Sequence, residues 1–218
     1  MLIAELALTA AFVIGLFIAY QLWFTNEVSD RQASAISMEV REGLKAQAIS
    51  SASPEIEVQG QPYSVSSIGL VYIPRLKSDV WATPILVGVG RRELSLGVGY
   101  YPGAALPGEN GNFAIAGHRA TNGEPFAKFE KLKTGDRVFV QTAAGWFEYE
   151  LLENKKIPDS ATWVLDAAPK GLNFGSDQLI TLTTCDPRWN STRRWAWWGV
   201  LASQSQEVPV GIGDDGDL

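Results

Sequence analysis

Seven short runs of apolar and β-branched residues recur over the last two thirds of the chain, and Gly or Pro residues separate them. Runs of this length and composition predict strands, and their regular spacing predicts a barrel or a sandwich. The chain has 218 residues, enough for one domain of ordinary size with an anchor or a tail. We therefore predict a mainly β fold, with strands over residues 68–74, 84–90, 112–118, 136–142, 146–152, 178–184 and 195–201.

The amino-terminal segment has a different composition. Residues 2–24 contain a single charged residue, Glu5, and end in a group of aromatic residues. About 20 apolar residues cross the hydrocarbon layer of a membrane as a helix, and aromatic rings favour its interface. A buried core helix is the first alternative, but a helix that is apolar on all faces has little to pack against at a chain end. A cleaved signal peptide would need a basic start and a small-residue cleavage site, which are not evident. We expect residues 1–24 to form one transmembrane helix.

The rest of the chain divides by composition. Residues 25–62 predict a helical stalk followed by a Ser-, Pro- and Gly-rich linker, and residues 63–205 predict the β domain. Residues 206–218 are acidic and Gly-rich, which predicts a flexible tail. Within the domain we expect short helices near residues 93–96 and 125–132, and a hairpin that turns at residues 143–145.

Overall composition excludes several kinds of site. The chain has one cysteine and one histidine, so neither an intramolecular disulfide nor a Cys/His zinc cluster can form. The net charge of −6 provides no broad basic surface, which argues against a nucleic-acid partner. We expect no metal ion and no cofactor.

The lone cysteine and the lone histidine both lie at predicted strand ends. Cys185 follows an apolar run directly, and His118 closes another run after a glycine. A strand end beside a loop is where a rigid sheet can present a nucleophile, although a lone Cys or His is more often structural. A cysteine near pH 7 is only a few per cent thiolate, so a catalytic one needs a base or a cation nearby. Arg193 and Arg194 open the last strand; they point to opposite faces, and spacing alone does not say which one faces the thiol.

These residues stand in motifs that resemble those of a known family. TLTTC at residues 181–185, followed nine residues later by Arg194, resembles the sortase signature TLxTC with its downstream Arg. NFAIAGHR at residues 112–119 resembles the strand that carries the sortase histidine. YYPGAALPGENG, PFAKFEKLKTGDRVFV and YQLWFTN extend the resemblance over nearly the whole chain, towards the class E sortases of actinobacteria.

The resemblance implies an eight-stranded sortase-type β-barrel and a cysteine transpeptidase. The enzyme would cleave the Thr–Gly bond of an LPxTG- or LAxTG-like sorting signal and transfer the protein to an amine of a cell-wall precursor or a pilin. The resemblance also implies that Cys185 is the nucleophile, that His118 is the general acid and base, and that Arg194 holds the carbonyl or oxyanion. Thr184 matches the family's Thr and is a candidate substrate contact, with a simple strand former as the equal alternative.

The same resemblance implies a single-pass protein of the cell membrane with an extracellular catalytic domain. Arg31, Arg41 and Lys45 follow the predicted span and no basic residue precedes it, which by the positive-inside rule would favour the opposite orientation.

Two features separate this chain from the family pattern. Asp186 and Tyr100 stand where class E members often have His, and a carboxylate beside the thiol disfavours the thiolate. We expect Arg119 and Arg193 to be solvated or structural. A cysteine peptidase that hydrolyses its acyl-enzyme, and a surface-anchored binding module without catalysis, are the alternative functions.

Overall fold

The computed structural model describes residues 2–20, 24–45, 55–58 and 61–213. Its helices are α1 (Leu2–Ala19), α2 (Thr25–Lys45) and α3 (Arg91–Leu94). Its strands are β1 (Glu55–Glu57), β2 (Ser64–Tyr72), β3 (Thr83–Val87), β4 (Val98–Tyr100), β5 (Gly111–Ala116), β6 (Arg137–Thr142), β7 (Gly145–Pro158), β8 (Gln178–Asp186) and β9 (Arg193–Ser205).

Eight of these strands close into a barrel. They are hydrogen-bonded in the order β2-β3-β4-β5-β8-β9-β7-β6, and β6 pairs back onto β2. The pairs β3–β4 and β5–β8 are parallel, whereas the remaining pairs are antiparallel. Strand β1 adds to the first residues of β2. The predicted mainly β, eight-stranded barrel is therefore confirmed.

The barrel interior is built from alternate residues of each strand, because successive side chains of a strand point to opposite faces. On β8, Ile180 and Leu182 lie in the main core cluster, and β9 contributes Trp197 to the same cluster. On the outer face of β8, the Thr181 hydroxyl donates to Asn112 Oδ1 at 2.7 Å. The faces of β8 and β9 are thereby assigned, which fixes where the site residues point.

Each of the seven predicted strand runs overlaps an observed strand. The eighth strand, Val98–Tyr100, is only three residues long and was not predicted. The predicted hairpin is confirmed, but its turn has two residues and not three, because Gly145 pairs with Thr142 and opens β7. The predicted short helices correspond to α3 and to a 3₁₀ turn at Phe129–Lys131.

Helix α2 lies in the predicted stalk and packs against the barrel. Ile36 and Val40 are buried in a second core cluster, together with Leu70 of β2 and Leu86 of β3. The amphipathic face of α2 therefore gives the barrel an additional layer on this side.

Helix α1 exposes large apolar side chains along its length, including Ile3, Leu6 and Phe12. Among the described residues, no helix combines the length and apolarity that crossing a membrane requires. The predicted span over residues 1–24 includes residues 1 and 21–23, which lie outside the described residues.

The predicted linker and tail are described only in part. Strand β1 lies within residues 50–62, while residues 46–54 and 59–60 are outside the described residues. In the predicted tail, Ile212 is buried in the second core cluster, and residues 214–218 are outside the described residues.

Candidate active site

Three adjacent strands bring the predicted catalytic residues together at one end of the barrel. Cys185 of β8 is the cross-strand partner of Arg194 on β9. On the other side of β8, Ala116 of β5 is level with Thr183, and the Gly117 N–H donates to the Thr183 carbonyl at 3.1 Å. Strand β5 ends at Ala116, so His118 lies two residues beyond the last paired residue of β5, as Cys185 lies two residues beyond Thr183. Neighbouring strands lie about 4.8 Å apart, so Cys185 and Arg194 are direct neighbours, and β5 brings the segment that carries His118 to the same end of the barrel.

Cys185 and Arg194 also share a face. Cys185 alternates with the inward-pointing Leu182 and Thr184, and it therefore belongs to the outer face of β8. Arg194 is in phase with Trp198, which lies in a separate cluster on the outer side of the sheet. Between the two candidate arginines, Arg194 is the one on the same face as Cys185.

His118 is partly buried at this strand end. Burial lowers the pKa of its imidazole below the ordinary value of 6.5. Its backbone carbonyl accepts a hydrogen bond from the Phe126 N–H at 2.9 Å, which fixes the start of the following loop. Near pH 7 the imidazole is therefore neutral and able to accept a proton.

The Arg194 guanidinium is held at the loop between β8 and β9. Its Nη1 donates to the carbonyls of Ser191 and Arg193 at 3.2 and 3.0 Å. These bonds are exposed and use one nitrogen, so the remaining donors are available to a substrate oxygen.

Asp186 is buried on the face opposite Cys185. Its side chain is 4 % exposed and contacts Arg119 at 2.9 Å, Lys156 at 3.1 Å and Arg193 at 3.7 Å. Burial raises the pKa of this carboxyl, but hydrogen bonds from Lys156 and Arg119 outweigh that effect and leave the pKa below its ordinary value. The Asp186 carboxylate, which is next to the thiol in sequence, is thus ionised. The positive charges of Arg119 and Lys156 balance it on the inner face of the sheet.

Thr184 also faces inward and is buried. Its hydroxyl donates to the Gly117 carbonyl at 2.8 Å, which ties β8 to the residue before His118. The substrate contact predicted for Thr184 stays a prediction.

Three residues beneath the site, Arg119, Lys156 and Asp186, were not identified as a group from the sequence. Arg119 is 9 % exposed, and its guanidinium lies 5.0 Å from the centre of the Trp195 ring, while Lys156 Nζ lies 4.6 Å from the same ring. Their positions in the sequence could have identified two of them, because Arg119 directly follows His118 and Asp186 directly follows Cys185. Among the described residues, no group of three or more His, Cys, Asp or Glu side chains could hold a metal ion.

Known proteins resemble this chain in sequence and in fold. The sortase domain family matches residues 71–202 of the chain. Sortase SrtE1 of Streptomyces coelicolor is 35 % identical over 211 residues, covering 93 % of this chain and 57 % of its own length. Sortase SrtE2 of the same organism is 32 % identical over 211 residues, covering 91 % of this chain and 80 % of its own length. The chain thus spans a little over half of the first relative and four fifths of the second.

Solved structures give the same result. The structure of sortase E from Streptomyces avermitilis is 35 % identical and has a TM-score of 0.60, covering 67 % of this chain and 96 % of that one. The structure of sortase E1 from Streptomyces coelicolor with a tripeptide in the active site is 33 % identical, with a TM-score of 0.60 and the same coverage. The barrel, the family match and these relatives lead to one conclusion: the chain belongs to the sortase family.

Proposed function

We propose that this protein is a cysteine transpeptidase that cleaves the Thr–Gly bond of an LPxTG- or LAxTG-like sorting signal and transfers the protein to an amine. The acceptor would be the amine of a cell-wall precursor or a pilin. The observation that carries the proposal is the pairing of Cys185 with Arg194 on one outer face, beside the end of β5, which lies two residues before His118.

In the first half-reaction the Cys185 thiol transfers its proton to His118, and the thiolate attacks the carbonyl carbon of the substrate Thr. The Arg194 guanidinium donates to the oxyanion that forms there. The Thr–Gly C–N bond then breaks, and the imidazolium of His118 protonates the leaving Gly amine. The product is a thioester between Cys185 and the substrate Thr.

The second half-reaction reverses these roles with a different amine. His118 removes a proton from the incoming amine, whose nitrogen attacks the thioester carbonyl carbon. A new amide bond forms, the Cys185 thiolate leaves and its proton is restored. No cofactor is needed, because every step is an acyl or a proton transfer.

A peptide substrate is supported by the relatives. Sortase E1 of Streptomyces coelicolor has been solved with a tripeptide in its active site. Here the outer face beside Cys185 borders the loop between β8 and β9, where Trp189 is 66 % exposed. An exposed aromatic side chain in the loop that follows the strand of the nucleophile supports binding of an extended peptide there.

We also propose that the apolar amino-terminal segment attaches the protein to the cell membrane, with the catalytic domain outside the cell. The exposed apolar side chains of α1 support attachment, because such a surface is unfavourable in water. Recovery of the full chain in the membrane fraction after carbonate washing would support the proposal. Recovery in the soluble fraction would contradict it.

The transpeptidase proposal is tested by incubating the full chain with an LPxTG or an LAxTG peptide and an amine, and separating the products by mass. We expect an amide-linked product whose yield rises with amine concentration, and no product from Cys185→Ala. Hydrolysis that does not respond to amine would instead support the cysteine peptidase. Peptide binding without cleavage, unchanged in Cys185→Ala, would support the binding module.

A further inference from the structure

The residues that directly follow His118 and Cys185 are joined to each other beneath the sheet. Arg119 Nη1 donates to Asp186 Oδ1 at 2.9 Å and lies 3.4 Å from the Cys185 carbonyl oxygen. The same guanidinium thus contacts both the side chain after the cysteine and the backbone of the cysteine itself.

This ion pair is buried on the inner side of the barrel. The exposed fractions of the Arg119 and Asp186 side chains are 10 % and 4 %. The second guanidinium nitrogen, Nη2, donates to Glu130 Oε2 at 3.1 Å, and the Trp195 ring covers the guanidinium plane. Both terminal nitrogens of the Arg119 guanidinium therefore donate to carboxylates, and its plane contacts an aromatic ring. A lysine cannot reproduce this set of contacts.

Burial makes the pair costly, because both charges lose water. An apolar pair of similar volume would often stabilise a barrel as well or better, so stability alone does not account for the charges. The position of the pair suggests a different role. The Thr184–Gly117 hydrogen bond joins the two strands one residue before the level of His118 and Cys185, and the Arg119–Asp186 pair joins them one residue after it.

Resting on the transpeptidase proposal above, we propose that Arg119 and Asp186 are positioning residues for the reaction. Their ion pair holds the β5 and β8 strand ends in register, so that the imidazole of His118 and the thiol of Cys185 meet on the outer face. The pair touches neither substrate nor reacting atoms and acts through the backbone of its neighbours.

The first test measures how far His118 influences the thiol, without any substrate. Cys185 is the one cysteine of the chain, so its alkylation by iodoacetamide at pH 7 reports on that thiol alone. In the full chain we expect His118→Gln to slow alkylation about tenfold, because the imidazole promotes formation of the thiolate.

The same substitution is then made in an Arg119→Lys background. A lysine at this position would keep the positive charge but not the two hydrogen bonds of the guanidinium, so the strand ends would lose their register. We therefore expect the effect of His118→Gln on the alkylation rate to shrink to less than about twofold. Asp186→Asn, which keeps the shape and removes the charge, is expected to shrink it similarly. Arg137→Lys is the matched control, since Arg137 also bridges two carboxylates, Glu148 at 3.3 Å and Glu150 at 3.2 Å, on the β6–β7 hairpin.

Three results would overturn the proposal: no effect of His118→Gln in the unsubstituted chain, an undiminished effect in Arg119→Lys, or an equal reduction in Arg137→Lys. Transfer kinetics add a second readout. Arg119→Lys should lower kcat about tenfold or more with KM within about threefold, because small misplacements of reacting groups are costly. If the unsubstituted chain transfers nothing, the transpeptidase proposal fails while the alkylation series still decides the positioning role.

Discussion

Replacing Arg194 by Ala should slow acyl transfer while leaving the barrel folded. The guanidinium lies on the face of Cys185 and would donate to the oxyanion, and a hydrogen bond from a charged donor contributes about 1.5–3 kcal/mol. Before substrate arrives, Nη1 of Arg194 donates to two loop carbonyls at 3.2 and 3.0 Å. These bonds are exposed to water, so breaking them reduces the stabilisation of the oxyanion only slightly. A loss of about 2–3 kcal/mol corresponds to a fall of roughly 30- to 150-fold in kcat/KM.

Arg193→Ala is the matched control, because it removes the same side chain one residue away. Arg193 is 56 % exposed and lies 3.7 Å from Asp186, a carboxylate that keeps Arg119 and Lys156 as partners. A long contact from an exposed arginine to a carboxylate that keeps two closer partners contributes about 0.5 kcal/mol, so kcat/KM should stay within about twofold.

The assay is the initial rate of amide-linked product at saturating amine over a series of peptide concentrations. A thermal melt of each variant verifies folding, and both should melt within a few degrees of the unsubstituted chain. If Arg193→Ala proved as damaging as Arg194→Ala, the assignment of the two arginines to opposite faces would not explain catalysis, and the oxyanion role of Arg194 would be refuted.

Three further predictions concern stability and pH. Gly117→Ala should destabilise the fold by about 1–3 kcal/mol in urea unfolding and slow transfer, because the added Cβ would lie 2.6 Å from the Phe126 ring, just before His118; unchanged stability and rate would contradict this. Because burial lowers the pKa of His118, the unfolded chain takes up its proton at higher pH than the folded one. The free energy of unfolding should therefore fall as pH drops below about 6.5, and His118→Gln should lose less between pH 8 and pH 5.5; parallel curves would refute it. Trp198→Ala should cost about 3–5 kcal/mol, measured by chemical denaturation, since the side chain is fully buried and its indole N–H donates to the Val164 carbonyl at 3.3 Å; a loss below about 1 kcal/mol would argue against this packing.

The strands were predictable where the local pattern was strong. The run around Leu182 is apolar and β-branched over its whole length, and the hairpin at Thr142 has a turn of suitable length, so both are confirmed. Strand β4 was missed because three residues, Val98–Tyr100, are too few to show a period. The packing face of helix α2 was not predicted, because it becomes evident only from the contacts of Ile36 and Val40 with the barrel.

The arrangement of the site depends on strand pairing, which local sequence does not encode. Spacing could not choose between Arg193 and Arg194, whereas the antiparallel register of β8 and β9 assigns them to opposite faces. The charge of Asp186 posed a problem in the sequence because its partner Arg119 is 67 residues away. Only the parallel pairing of β5 with β8 brings these two residues together and directs the carboxylate away from the thiol.

The most direct test of acyl transfer through Cys185 is the mass of the intact full chain after brief exposure to a sorting-signal peptide without amine. We predict one added acyl group, ending in the substrate Thr, that is removed by hydroxylamine and is absent from Cys185→Ala. The adduct should disappear when an amine is added, while the amide-linked product accumulates at the same rate. Cleavage of the peptide at an unchanged rate in Cys185→Ala, or an adduct that persists in the presence of amine, would contradict acyl transfer through Cys185.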